Sequence, residues 1–177
     1  NGLIAINIED GDALTWVRLS KEGDSVLIGS KTGMAIHFRL DINELRPLGR
    51  TARGVKSMNL RDGDNLVSMD VLTSNLVDQL AKIEYPTEDL DDNVDENSSD
   101  GPWVLIASAF GLGKRVPVTQ FRLQKRAGRG LRAIKCRIKD DVLVCLEVLG
   151  YEEELLLVTE NGVIVRTNAD TIYKQSR

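Results

Sequence analysis

The chain has 177 residues, 42% of them hydrophobic, and a formal net charge of -4, so it has enough apolar material for a packed core. No stretch approaches the roughly 18 apolar residues of a membrane helix, the start NGLIAINIEDGD has no signal-peptide pattern, and a membrane is not expected as a partner. Cys136 and Cys145 lie in apolar-alternating runs without metal-ligand spacing and read as reduced core residues.

The first element is LIAINIEDGDAL from Leu3, in which Leu3, Ala5, Ile6 and Ile8 set an apolar alternation ended by a D-G turn. This is the signature of a strand with one buried face. VLIGSKTGMAIHF from Val26 follows, strand, turn at Gly33, strand. Next comes RPLGRTARGVK, which carries Arg46, Arg50, Arg53 and Lys56. VKSMNLRDGDNL from Val55 repeats the first element at an offset of 52 residues, with Val55, Met58 and Leu60 as the apolar set. Asp10/Asp12 and Asp62/Asp64 repeat with it and read as turn residues rather than metal ligands.

Residues 74–100 hold nine acids against Lys82 alone. Leu76 to Ile83 reads as a short helix, and residues 86–100 as a mobile acidic insertion between repeats. Without residues 74–100 the chain carries +4.

VLIASAFGLGKRV from Val104 repeats the hairpin, with its turn at Gly111, and QKRAGRGLR repeats the basic loop with Lys125, Arg126, Arg129 and Arg132. LRAIKCRIKDDVL from Leu131 is a degenerate copy of the D-G-D half-motif. LLLVTENGVIVRT from Leu155 is a third hairpin, turning at Gly162. The hairpins stand 78 and 51 residues apart, and removing the 27-residue insertion makes the first interval 51 as well. Repeats of about 50 residues built from short strands indicate a propeller-like radial fold; a single irregular β-sandwich is the alternative. The chain is expected to hold two complete repeats and two partial ones.

Between Gly111 and Lys139 there are ten basic residues and no acid, a footprint suited to phosphate. Glycines interleaved with arginine forks let a backbone approach phosphate oxygens closely. The other reading is that these arginines solvate loops or pair with acids of adjacent units. Few aromatics and no recognition helix favour duplex backbone over splayed bases or base edges. His37, the single histidine, reads as a polar strand residue, and no catalytic, phosphate-loop or metal motif is present.

The strings MAIHFRLDINELRPLGRTARGVKSMNLRDGDNLVSMDVL, GPWVLIASAFGLGKRVPVTQF and LLLVTENGVIVRT resemble successive blades of the DNA gyrase A C-terminal domain, of the type IIA topoisomerase family. The resemblance implies an all-β β-pinwheel, a six-bladed propeller-like ring with strands exchanged between blades, here two complete and two partial blades across residues 1–177. It implies that the rim wraps double-stranded DNA, supporting ATP-dependent negative supercoiling by the full enzyme, with no catalytic residues or cofactor in this segment. ATP and Mg2+ would serve other domains. Its partners would be the rest of the gyrase A protein, together with the gyrase B protein in an A2B2 complex. The complex would work in the bacterial cytoplasm or, alternatively, in a plastid or mitochondrion. Carried over by position, the rim contacts would include Arg39, Arg50, Arg53, Lys56, Lys114, Arg115, Arg126, Arg129 and Arg166, beside Lys125 and Arg132 from the loop reading. The glutamine- and glycine-rich basic box of the first blade is absent, which leaves a topoisomerase IV parent as an alternative. A propeller that presents its loops to proteins is the rival reading from another class.

Overall fold

Three hairpins, each closed by a glycine in the left-handed region (Gly33, Gly111 and Gly162, φ 83 to 85°), organise the computed structural model, which describes residues 2–81, 102–150 and 154–177. The first pairs β1 (Ser25–Ser30) with β2 (Met34–Arg39), and β3 (Leu66–Leu72) adds to the other edge of β1. Helix α1, Ser74–Ala81, follows. It starts two residues before the helix read from the sequence. The rest of the acidic run, from residue 82, lies outside the described residues, as does its expected mobility. The second unit repeats the plan with β4 (Trp103–Ser108), β5 (Gly113–Pro117) and β7 (Leu143–Leu149). In the third, β8 (Glu154–Val158) pairs with β9 (Ile164–Asn168).

The repeats agree in detail. Register slips at Gly29/Ser30 on β1 and at Ala107/Ser108 on β4, 78 residues on. Asp64 and Asp141, 77 residues apart, occupy the same turn and accept the amides of Thr32 and Phe110, which are 78 apart. In the degenerate third half-motif Asp140 takes φ 64° where its counterpart Gly63 has 77°. Aspartate tolerates this conformation better than most side chains, so the turn survives the loss of its glycine.

Strand exchange joins the units. The short β6 (Leu131–Arg132) runs from the second repeat to the outer edge of β2 in the first, opposite Met34 and Ala35. A Cβ on Gly130, at φ 75°, would sit 2.3 Å from the carbonyl oxygen of Ala35, so only glycine fits there.

The core follows from this stacking. Leu27, Leu72, Val104, Ile106, Val116 and Leu146 form one buried layer between the first two sheets. Ser68 and Asp70 bridge the same seam by accepting the amides of Leu146 and Val148. Trp103, Leu105 and Leu149 pack against Leu155 of the third hairpin. The inner strands β1, β2 and β4 are thus buried along nearly their whole length, between neighbouring repeats, as radial folds require.

Candidate nucleic-acid interface

The two basic loops are held in the same way. The amide of Asn7 donates to the carbonyl of Ala52 at 3.2 Å, and that of Asn59 to Gly128 at 2.8 Å. Gly54 and Gly130, two residues further on in each loop, both have positive φ. Each loop is therefore pinned by the D-G-D half-motif of the preceding repeat, and its side chains are displayed on an exposed turn.

Arg50, Arg53 and Lys56 of the first loop are exposed, as are Lys125, Arg129 and Arg132 of the second. Arg53 has a loose exposed contact with Glu9 at 3.8 Å, a geometry that stabilises little. Arg126 is half-buried. Its Nε donates to the Glu44 carbonyl at 3.0 Å and its Nη1 to the Lys56 carbonyl, so it ties the two loops together. Arg39 ends β2, half-buried, and Arg166 is exposed on β9 but paired with Glu154.

Arg115, expected on the rim, is instead turned into the seam between the second and third repeats, only 8% exposed. Its Nε and Nη2 donate to the carbonyls of Ile172 and Asp170, both at 2.8 Å, and its guanidinium lies 5.5 Å from the Trp103 ring centroid. The physical reason is that the chain after β9 lies along β5 and offers carbonyls where a free edge would have faced water. Burial lowers the pKa of this guanidinium, and Asp170 partly offsets it.

His37 is likewise buried. Its Nδ1 donates to the Phe121 carbonyl at 2.6 Å, and its Nε2 lies 2.7 Å from the Ser25 hydroxyl. Burial is the main cause of its lowered pKa, with Arg39 adding to it against the Phe121 bond.

A further group of cations adjoins the second loop and shares Arg132 with it. Lys114 of β5, Arg132 of β6, Lys135 and Arg137 just after it, and Arg177 line one recess of about 560 Å³, and none of its lining residues is acidic. Lys114 is half-buried, with its ammonium 2.7 Å from the Ser176 carbonyl, and burial together with Arg177 lowers its pKa. Lys135, Arg137 and Arg177 are not among the contacts expected from the sequence. The acid-free run from Gly111 to Lys139 contains the signal for the first two. Arg177 enters only because the chain after β9 returns along β5.

Leu3 and Leu19 are highly exposed, and so are Leu156, Val158 and Ile164 on the third hairpin. No helix among the described residues is long and apolar enough to cross a membrane.

Comparison with known proteins accounts for this arrangement. The family model described as DNA gyrase C-terminal domain, beta-propeller, matches residues 1–21, 24–73, 102–144 and 153–177. A DNA gyrase A protein from Synechocystis sp. is 52% identical over all of this chain and 21% of its own length. One from Staphylococcus epidermidis is 36% identical over all of this chain and 17% of its own length. The chain thus spans about a fifth of the curated relatives it matches. Among solved structures, a DNA gyrase A C-terminal domain superposes with TM-score 0.73 at 25% identity, covering 99% of this chain and 50% of that one. The C-terminal domain of a DNA topoisomerase IV gives TM-score 0.73 at 22% identity, covering 98% and 47%. At that identity the second likeness speaks for the fold alone. Repeat by repeat, with the same glycine turns and an exchanged strand, the chain belongs to the family of DNA gyrase C-terminal β-propeller domains.

Proposed function

We propose that this chain binds double-stranded DNA through its phosphates and wraps it, as the C-terminal part of a DNA gyrase A protein. The observation that carries the reading is the pair of equivalently pinned, exposed basic loops, Arg50–Lys56 and Lys125–Arg132, in a chain of this family. Phosphate contacts position a duplex without reading its sequence. Bending a short duplex by tens of degrees costs on the order of 1–6 kcal/mol, which contacts spread over several repeats offset. Arg115 and Arg126, both committed to backbone carbonyls, are left out of the contact set, and Lys135 and Arg137 join it.

The parent is a type IIA topoisomerase that uses ATP and Mg2+ in other domains and assembles with gyrase B into an A2B2 complex. It works in the bacterial cytoplasm, or in a plastid or mitochondrion of a plant or alga. The 52% identity to a gyrase A protein favours gyrase over topoisomerase IV. The acidic stretch 74–100 is an insertion between blades; the family model passes over residues 74–101. The test is a gel-shift titration with duplexes of unrelated sequence at several salt concentrations. Affinity should be the same for all of them and fall with a log-log slope of several units. A flat salt response refutes phosphate binding.

A further inference from the structure

The second basic loop is seated on the first by four hydrogen bonds, all made between residues 44 and 128. Two come from one guanidinium: the Arg126 Nε donates to the Glu44 carbonyl at 3.0 Å and its Nη1 to the Lys56 carbonyl. The other two join backbones, from the Ala127 amide to the Ser57 carbonyl and from the Asn59 amide to the Gly128 carbonyl, both at 2.8 Å. Ala127 lies at φ 63°, a left-handed backbone unusual for a residue with a Cβ, and such strain persists only where surrounding contacts over-determine it. The second loop is therefore shaped to meet its neighbour. Arg126 is half-buried in the junction, whereas Arg53 and Lys56 in the first loop and Arg129 and Arg132 in the second are exposed.

A bent duplex pushes back elastically on whatever holds it. Two cationic loops free to move independently would each follow a straighter helix and keep their phosphate contacts, so counterion release and affinity would survive while curvature was lost. Loops tied together before the duplex arrives hold it to the protein's path and need no ordering on binding. We propose, resting on the duplex-wrapping reading, that Arg126 is a positioning residue for the wrap. It touches no phosphate, and by fixing the second basic loop against the first it lets the protein set the curvature of the duplex between these repeats.

The test uses the full chain and a duplex carrying a fluorescent donor at one end and an acceptor at the other, so that bending raises energy transfer. Titration at several salt concentrations gives the salt slope of binding. The unaltered chain is compared with Arg126→Ala, Arg126→Lys and Arg129→Ala, each confirmed as folded by near-ultraviolet circular dichroism. Arg126→Ala should keep a salt slope within about 0.5 of the unaltered value yet lose about half or more of the transfer gain at saturating protein. Arg126→Lys retains the charge, but an ammonium lacks the fork that spans both carbonyls, so it too should lose transfer gain; it carries the test if the alanine variant does not fold. Arg129→Ala should lower the slope by about 1 and keep the gain at saturation. A full transfer gain in either Arg126 variant overturns the proposal, as does a slope lowered by about 1 in Arg126→Ala, which would mark a phosphate contact. The unaltered chain separates the two failures. If it raises no transfer, wrapping itself fails and the role of Arg126 with it, whereas a gain shared equally by the Arg126 variants sinks that role alone.

Discussion

His37 and Arg115 occupy the same position in successive repeats and perform the same act. Each donates to the carbonyl of an equivalent residue in the repeat that follows, His37 to Phe121 at 2.6 Å and Arg115 to Ile172 at 2.8 Å. Each is steadied by the residue twelve positions earlier, the Ser25 hydroxyl or the Trp103 ring. The third copy of the pair is Glu154 and Arg166, joined by a salt bridge. In the first two repeats this position thus latches neighbouring units with two chemistries, whereas the third copy closes its own hairpin, and only the histidine titrates near neutrality.

That difference makes the first seam acid-sensitive. The folded pKa of His37 lies below its ordinary value because burial penalises the charged ring. The unfolded chain therefore binds more protons as pH falls through about 6.5, and the stability that neutral His37 contributes is full above that pH and drains away below it. One proton changes stability by at most about 1.4 kcal/mol per pH unit. Urea midpoints measured from pH 7.5 to 5.5 should decline, and His37→Gln should flatten that decline. His37 is the chain's single histidine, so an unchanged slope in the variant contradicts the assignment.

The second seam should be insensitive over the same range and more costly to break. Arg115→Ala leaves two carbonyls without their donor and removes the cation over Trp103, a loss of about 2–4 kcal/mol. Lys174 also lies over that ring, its Nζ 5.0 Å from the centroid. In a Trp16→Phe background the emission of Trp103 should shift to the red as the seam loosens. A variant with unshifted emission and unchanged unfolding midpoint would show that Arg115 is no latch.

Much of this was legible in the sequence. Gly33, Gly111 and Gly162, at the repeat spacing, marked the hairpins, and the D-G-D half-motifs marked turns with Gly11 and Gly63 at positive φ, but the one-face-buried strands expected before those turns do not form: residues 3–8 and 55–60 are irregular, and Leu3, Ile6, Ile8 and Val55 are exposed. The latch was not legible. Arg115 sits in an acid-free basic run, and its neighbours say nothing about which chain lies along its strand edge. That edge is covered by the residues around Tyr173, whose carbonyl accepts the Arg115 amide and which lie 58 positions on. The recess beside β5 escaped for the same reason. Composition showed Lys135 and Arg137 as charges, and only strand exchange sets them beside Lys114.

Within the basic loops, two neighbouring arginines should separate by role. Arg126 is committed to the carbonyls of Glu44 and Lys56, whereas Arg129 is exposed. Arg126→Ala should cost about 1–2 kcal/mol of stability, and Arg126→Lys should recover only part of it because an ammonium lacks the fork. Arg129→Ala should stay within about 0.5 kcal/mol of the parent yet lower affinity for every duplex alike and reduce the salt slope by about 1. Chemical denaturation and salt-dependent gel shifts on the same preparations check both halves. Equal stability losses in the two alanine variants would refute the division.

The glycines of the two loops test strand exchange itself. Gly54 and Gly130 share a left-handed backbone, φ 78° and 75°, so alanine at either meets the same local penalty of about 1–2 kcal/mol. Their surroundings differ. The nearest atom to a Cβ on Gly54 is the Cδ1 of Ile6 at 3.9 Å, while at Gly130 it would overlap the Ala35 carbonyl at 2.3 Å and crowd the Met58 Cε at 3.0 Å. Relief at Gly130 requires β6 to draw back from β2, so Gly130→Ala should cost about 3–5 kcal/mol in total. The amides at the β2–β6 junction should lose protection from hydrogen exchange, with the rest of the first sheet kept. Gly54→Ala should leave that junction protected. If both variants lose the same stability and the junction stays closed, the close approach of Gly130 to β2 is not what holds the exchanged strand.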